Sequence, residues 1–432
     1  MTAAAGFLGG AKSRLLPASI PFRFFAAAAL FHVAMWVVLI FAAEQVIGFR
    51  GGMVPALAAV HLLVLGVLTT TAIGAAVQLL PVATRHALAA HWPIKLVFWT
   101  FVPGIVLLTA SMYLGRIELV IAGAVASTAG LLLFAGLLGD NLRRAGGLPI
   151  VAAYGWAALA ALLAVILLGL ALSVDFATGF LRDHAAVVRA HAILGGYGFM
   201  GMLALGFSHV LIPMFALSSA PEKRPATAGF LTAAAGVALG SFGAVLGHPH
   251  LLTAATLVGL VAVGIHLWLM LRALRTGMRK RLGLSFILVR AAWVSLPLSL
   301  LIGLAASHDR AGPNGPALFG LLLLGGWLLT FLLGVLQRIL PFLASMHATA
   351  PERRAPPRLS ELGATAPLNV HAICHGTALA GLAGAILFDA SAAARVAGTI
   401  GLLGAMAFAL FTADVIRRLP LASHASPLPS GG

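Results

Sequence analysis

Two histidines stand inside long apolar runs of this 432-residue chain: His61 in AAVHLLVLG and His191 in RAHAILGGYG. A neutral imidazole in hydrocarbon still has an N–H and a lone pair to satisfy, so such a residue faces a cavity, a partner helix or a cofactor. His371 and His375 form a second group. They are four apart at the start of one apolar run, which puts both on one helix face at a spacing where two imidazoles can meet one metal. His209, in HVLIP, ends the run that holds His191 and lies at a depth similar to that pair. It is eighteen residues, about 27 Å, from His191, so one site cannot use both. The candidate ligands are therefore His61 and His191 toward one side, and His371, His375 and His209 toward the other. Against each stands a plainer reading: a histidine hydrogen-bonded between helices, or one at the watery interface. His32 and His266 read as satisfied core residues, and His248 and His250, in GHPH, as surface imidazoles of a turn.

The carboxylates exclude as much as the histidines suggest. All eleven fall in loops or near helix ends, and proton pumps and proton-driven carriers need an acid near mid-membrane. Cys374 is alone, which rules out a disulfide framework or a cysteine metal cluster and reads as a small buried apolar residue. Arg290 and Arg338 reach the water by snorkelling or pair with an anionic cofactor group. No Gly-rich phosphate loop, Ser/His/Asp arrangement or Cys-x-x-Cys site is present.

These residues are carried by membrane helices. The chain is 61% hydrophobic and 9% charged, with a mean hydropathy of +1.05. That composition belongs to a polytopic all-α membrane protein, and apolar runs long enough to cross about 30 Å of hydrocarbon number twelve. The chain divides into a lead at 1–21, one twelve-helix membrane domain at 22–418, and a Ser/Pro/Gly-rich, disordered tail at 419–432. The longest connection, 345–367, has PERRAPPRLSELG at its centre and reads as a solvated linker. The net charge of +16 is topology rather than a nucleic-acid site, because the alternate loops hold twenty of the 27 Lys and Arg residues. Both termini are thereby expected in the cytoplasm, which puts His61 and His191 toward the outer face. No cleavable signal precedes the first span.

A repeat orders the helices. Gly66, Gly74 and Pro81 recur without a gap as Gly198, Gly206 and Pro213, and again as Gly326, Gly334 and Pro341. The copies lie in spans two, six and ten, so the unit is four helices and the molecule is three pseudo-equivalent four-helix arcs. Each pattern makes a narrow small-residue stripe, which is expected to meet its equivalents at the centre. His61 points about 140° from its stripe glycine and His191 about 20°, so the two are expected to face different spaces between arcs.

Twelve helices in three arcs, with histidines on the second and sixth, resemble subunit I of the haem-copper oxidase and nitric oxide reductase superfamily. The chain is more remotely similar to the NnrS-type membrane proteins of nitric oxide stress. The resemblance implies b-type haem, with copper as a second metal, held through His61 and His191. It also implies a bacterial inner membrane, a cytochrome or respiratory-complex partner, and a role in nitric oxide or respiratory redox and metal handling. The family's adjacent histidines on helix 7 and its His-x-His on helix 10 are missing here, so a complete oxygen reductase is not expected. The competing expectation is a cofactor-free permease or assembly factor. No nucleic-acid partner is implied; the lipid bilayer is.

Overall fold

Twelve apolar runs become twelve helices because hydrocarbon cannot hydrogen-bond a peptide group, so each span must satisfy its backbone internally. The computed structural model describes residues 16–84, 92–347 and 364–423. Among them there is no strand, and twelve helices are long and apolar enough to cross a membrane. They are α1 (Ser19–Phe41), α2 (Pro55–Leu79), α3 (Trp92–Leu114), α4 (Ile117–Arg143), α5 (Pro149–Thr178) and α6 (His184–Ala216). The second half has α7 (Lys223–Val245), α8 (Pro249–Thr276), α9 (Gly283–Ser307), α10 (Gly315–His347), α11 (Thr365–Leu387) and α12 (Ser391–Leu419). Proline in the first turn starts α2, α5, α8 and α10, where its missing N–H costs nothing. Most of the N-terminal lead, the centre of the linker after α10 and the end of the tail lie outside the described residues.

The three arcs are α1–α4, α5–α8 and α9–α12. In each, the last two helices form an antiparallel hairpin, and α4 meets α5, α8 meets α9, and α12 returns to α1 to close the ring. The second helix of each arc lies inside. The apolar windows of α2, α6 and α10 are 72%, 89% and 61% buried, against 28–56% for the other nine.

The repeated glycines do not meet at the centre as expected. Each pair clamps the inner helix to the first helix of its own arc. A Cβ on Gly66 or Gly74 of α2 would stand 2.7–2.8 Å from Phe31 or Phe24 of α1. On α6 the Gly198 and Gly206 positions would meet Ala161 and Tyr154 of α5 at 2.9 and 2.6 Å. On α10 the Gly326 and Gly334 positions would meet Ser295 and Ser285 of α9 at 2.8 Å. A small-residue stripe goes where backbones come closest, and here that is within an arc rather than around the axis. The axis is filled by a different face: Gly196 and Gly201 of α6 admit Leu323 and Trp327 of α10, and Tyr197 stacks on Trp327 at 5.7 Å.

At the same level all three inner helices widen into π-helix, over Leu62–Thr69, Leu194–Gly201 and Leu321–Leu329. Threonine hydroxyls stabilise two of the three by bonding five residues back. Thr70 donates to the Leu65 carbonyl at 2.9 Å, and its equivalent Thr330 to Gly325 at 2.8 Å. Met202 stands at that position in α6 and has no hydroxyl to give. Wide turns of this kind gather at functional sites, and their threefold recurrence makes them part of the repeat unit.

Gly74→Val should destabilise the protein by about 1–3 kcal/mol, because the added side chain must displace Phe24. Gly136→Ala, where nothing lies within 4 Å of the new Cβ, should be neutral or slightly stabilising. Thermal unfolding midpoints in detergent check both; equal losses would mean that the glycine clamp is not what the repeat preserves.

Candidate functional site

A cavity of about 910 Å³ lies among α2, α6 and α10 at the level of the wide turns. Leu, Val, Ala and Gly make most of its wall, and Tyr197, Trp327 and Phe199 close it below. It reaches the end of the bundle that carries the α1–α2 and α5–α6 turns, where Arg50, Gly51, Gly52, His184 and Arg189 border it. That rim is built locally. Asp175, the one buried carboxylate among the described residues, accepts from the Leu181 N–H at 2.6 Å and from His184 Nδ1 at 2.7 Å. Asp183 caps α6 through the Ala186 N–H at 2.8 Å, and Arg50 donates to the Pro313 carbonyl at 2.9 Å.

His61 and His191 both line this cavity. They therefore share one space, contrary to the expectation from helical angles. A count of 100° per residue assumes an unbroken α-helix, and both intervals used for it run into π-helix. Each ring has its orientation set. His61 Nδ1–H donates to the Leu57 carbonyl at 3.0 Å, so its lone pair is on Nε2. Gly169 of α5 makes room for His191: a Cβ there would come within 3.2 Å of the imidazole Cε1. The buried Nδ1 of His191 has no hydrogen-bond partner. An oriented imidazole with a free lone pair and a neighbour with an unpartnered nitrogen, both facing an apolar chamber, can bind a metal held in that chamber.

The second predicted group divides in two. His371 and His375 do share a helix face, with ring centroids 5.5 Å apart, but that face is turned inward. They are 0% and 2% exposed, which rules out the interfacial alternative, because Gly404 of α12 lets α11 approach closely. Their third neighbour is His32 of α1, 6.2 Å from His371. His209 is elsewhere. It is also buried, and it packs between Tyr154 at 5.6 Å and His266 at 5.8 Å. His32 and His266 are not the satisfied core residues expected, since the Nδ1 of each is buried without a partner. Among the described residues no three His, Cys, Asp or Glu side chains are placed to share one ion.

Arg338 is half-buried and does not border the cavity. It donates to Ser285 Oγ at 2.7 Å and to the Leu282 carbonyl, with the rings of Phe215 and Phe286 against its guanidinium. Arg290 is exposed on α9, and Cys374 is half-buried rather than fully enclosed. Sequence reasoning passed over Trp36, Thr330 and the Tyr197–Trp327 stack. The hydroxyl of Thr330, four residues after a repeat glycine as Thr70 is, was the available signal.

No protein-family model matches the chain, and no curated protein is significantly similar to it. The function is therefore argued from the geometry.

Thr330→Val removes both the back-bond to Gly325 and the acceptor for His375, stranding a buried N–H. A loss of about 1–3 kcal/mol is expected. Thr128→Val, on the cavity wall, serves as the control in the same unfolding measurement. A Thr330 variant as stable as wild type would show that the hydroxyl does not hold His375.

Proposed function

We propose that this is a multi-pass membrane haem protein, with the α2–α6–α10 cavity as the site of a b-type haem that His61 and His191 would hold. One observation carries the reading: two imidazoles from different helices, one with its lone pair fixed on Nε2 and one with a buried unpartnered nitrogen, face a single apolar chamber. At about 910 Å³ the chamber is at the upper end of the range for cofactor-sized sites. Arg50 and Arg189 stand at its rim, where carboxylates of a bound ligand can be met in a charge-assisted geometry. Haem held there would supply one-electron exchange or the reversible binding of a small gas such as nitric oxide.

The chain's own residues do the rest. Leu57 fixes the His61 tautomer, Gly169 leaves the space that His191 occupies, and the Tyr197–Trp327 stack closes the floor. The aliphatic wall keeps water from the metal-binding nitrogens. In this reading the protein serves nitric oxide or respiratory redox handling in a bacterial inner membrane, with its termini in the cytoplasm and a cytochrome or respiratory-complex subunit as its partner. The His371/His375 pair lies outside this chamber.

The visible spectrum of the purified protein tests the assignment. Wild type should show a Soret band that falls about tenfold or more in His61→Ala or His191→Ala, as loss of a ligand requires. His209→Ala, at a residue that does not line the chamber, should keep it. A colourless wild type, after expression with ample haem supply, overturns the reading in favour of a cofactor-free permease or assembly factor.

A further inference from the structure

The buried cluster of His32, His371 and His375 has no part in the cavity, yet its hydrogen bonds define what it can hold. The hydroxyl proton of Thr330 is spent on the Gly325 carbonyl at 2.8 Å, so at the 2.8 Å contact with His375 the donor is the imidazole Nε2–H. The lone pair of His375 is therefore on Nδ1. His371 faces the Gly404 carbonyl through Nδ1 at 3.2 Å, which an acceptor-only oxygen permits only if Nδ1 carries the proton. Its lone pair is on Nε2. His32 is the opposite case: its Nε2 accepts from the indole N–H of Trp36 at 3.1 Å, which leaves the proton on Nδ1. The three nitrogens left over are His371 Nε2, His375 Nδ1 and His32 Nδ1, and all three are buried without a partner.

Two lone pairs and one N–H donor, each on a ring anchored from behind, make a specific inventory. We infer that His371 Nε2 and His375 Nδ1 hold one copper(I) ion, whose third ligand is a small exogenous anion accepting from His32 Nδ1–H. Anchoring each ligand through its other nitrogen is how metal-binding imidazoles are oriented. Charge selects the ion. No carboxylate or thiolate belongs to the cluster, so a divalent ion would bring an uncompensated charge into the protein interior. A monovalent, imidazole-tolerant d¹⁰ ion with one anion is neutral.

The cluster adjoins the cavity without opening into it. Trp36, which bonds His32, and Gly325, which accepts from Thr330, both line the chamber, whereas the three histidines do not. Copper at the cluster requires no haem in the cavity, and it is detected as bound metal rather than as colour.

The full-length protein, purified in detergent, is loaded with copper(I) under reductant, stripped of loose metal with a copper(I) chelator, and assayed for metal content by mass spectrometry. Wild type should retain about one copper per chain, and His371→Leu and His375→Leu should each reduce retention by about tenfold or more. His61→Ala and His191→Ala should leave it unchanged. His371→Met supplies a thioether at the same place and should recover most of the copper, which separates ligation from packing. His32→Phe should keep the two nitrogen ligands by X-ray absorption but release copper to the chelator faster. Copper retention that is negligible in wild type, or undiminished from wild type in the two Leu variants, overturns the site whatever the Soret band shows. Failure of Met to restore what Leu removes overturns ligation by His371.

Discussion

The close approach of each inner helix to the first helix of its own arc is the contact on which the rest depends. Glycine at two positions lets α2, α6 and α10 lie almost backbone to backbone against α1, α5 and α9. In lipid no hydrophobic force drives helices together, so such close van der Waals contact must do it. Because the glycine face is used within the arc, the opposite side of each inner helix is free to face the axis. There the large residues Leu323, Trp327 and Tyr197 meet, and above them a chamber remains. Had the small residues met at the axis, three backbones would have closed the space in which the histidines stand.

The wide turns follow from the same arrangement. A π-helical turn inserts one residue without breaking the spiral, which shifts the faces on either side of it relative to one another. In this fold an inner helix must present glycine to its arc and ligands or aromatics to the centre, and the inserted residue sets these two faces independently. The threonines that bond five residues back supply a hydrogen bond in a stretch where the ordinary ladder is interrupted. The same stretch shapes the chamber wall, so the scaffold's irregularity and the candidate site coincide.

Much of the scaffold was legible in the residues. Composition and run length were enough for twelve spans, since in hydrocarbon an apolar run of that length has essentially one stable form. The Gly/Gly/Pro pattern identified the fourfold grouping of helices. What could not be read was direction. Helical angle counting assumes a constant period, and the period changes at Leu62, Leu194 and Leu321 with no signal in the local composition. Hence the common chamber of His61 and His191 was missed. The partition of the other histidines was missed for a different reason: depth along the normal is readable from position in a run, whereas azimuth around the bundle is not. His209 and His375 lie at similar depths in different arcs, so only the fold could assign one to His266 and the other to His32.

The interior also limits the charge of what it can take in. Among the described residues Asp175 is the only buried acid, no Lys or Arg is buried, and the membrane-embedded polar groups are otherwise imidazoles, amides and hydroxyls. A neutral ligand set stabilises a cation by donation but cannot cancel its charge, and uncompensated charge in the low-dielectric interior is costly. Guests that are neutral where they are buried are therefore preferred: a ferrous porphyrin core with its carboxylates at the Arg50 and Arg189 rim, or a copper(I) ion with one anion. An added positive charge would meet no carboxylate at the His32 cluster, whereas at the chamber rim Asp175 stands behind His184. The chamber is therefore the better placed of the two to tolerate a change of charge, because it reaches the rim and His184, while the His32 cluster has only neutral groups around it.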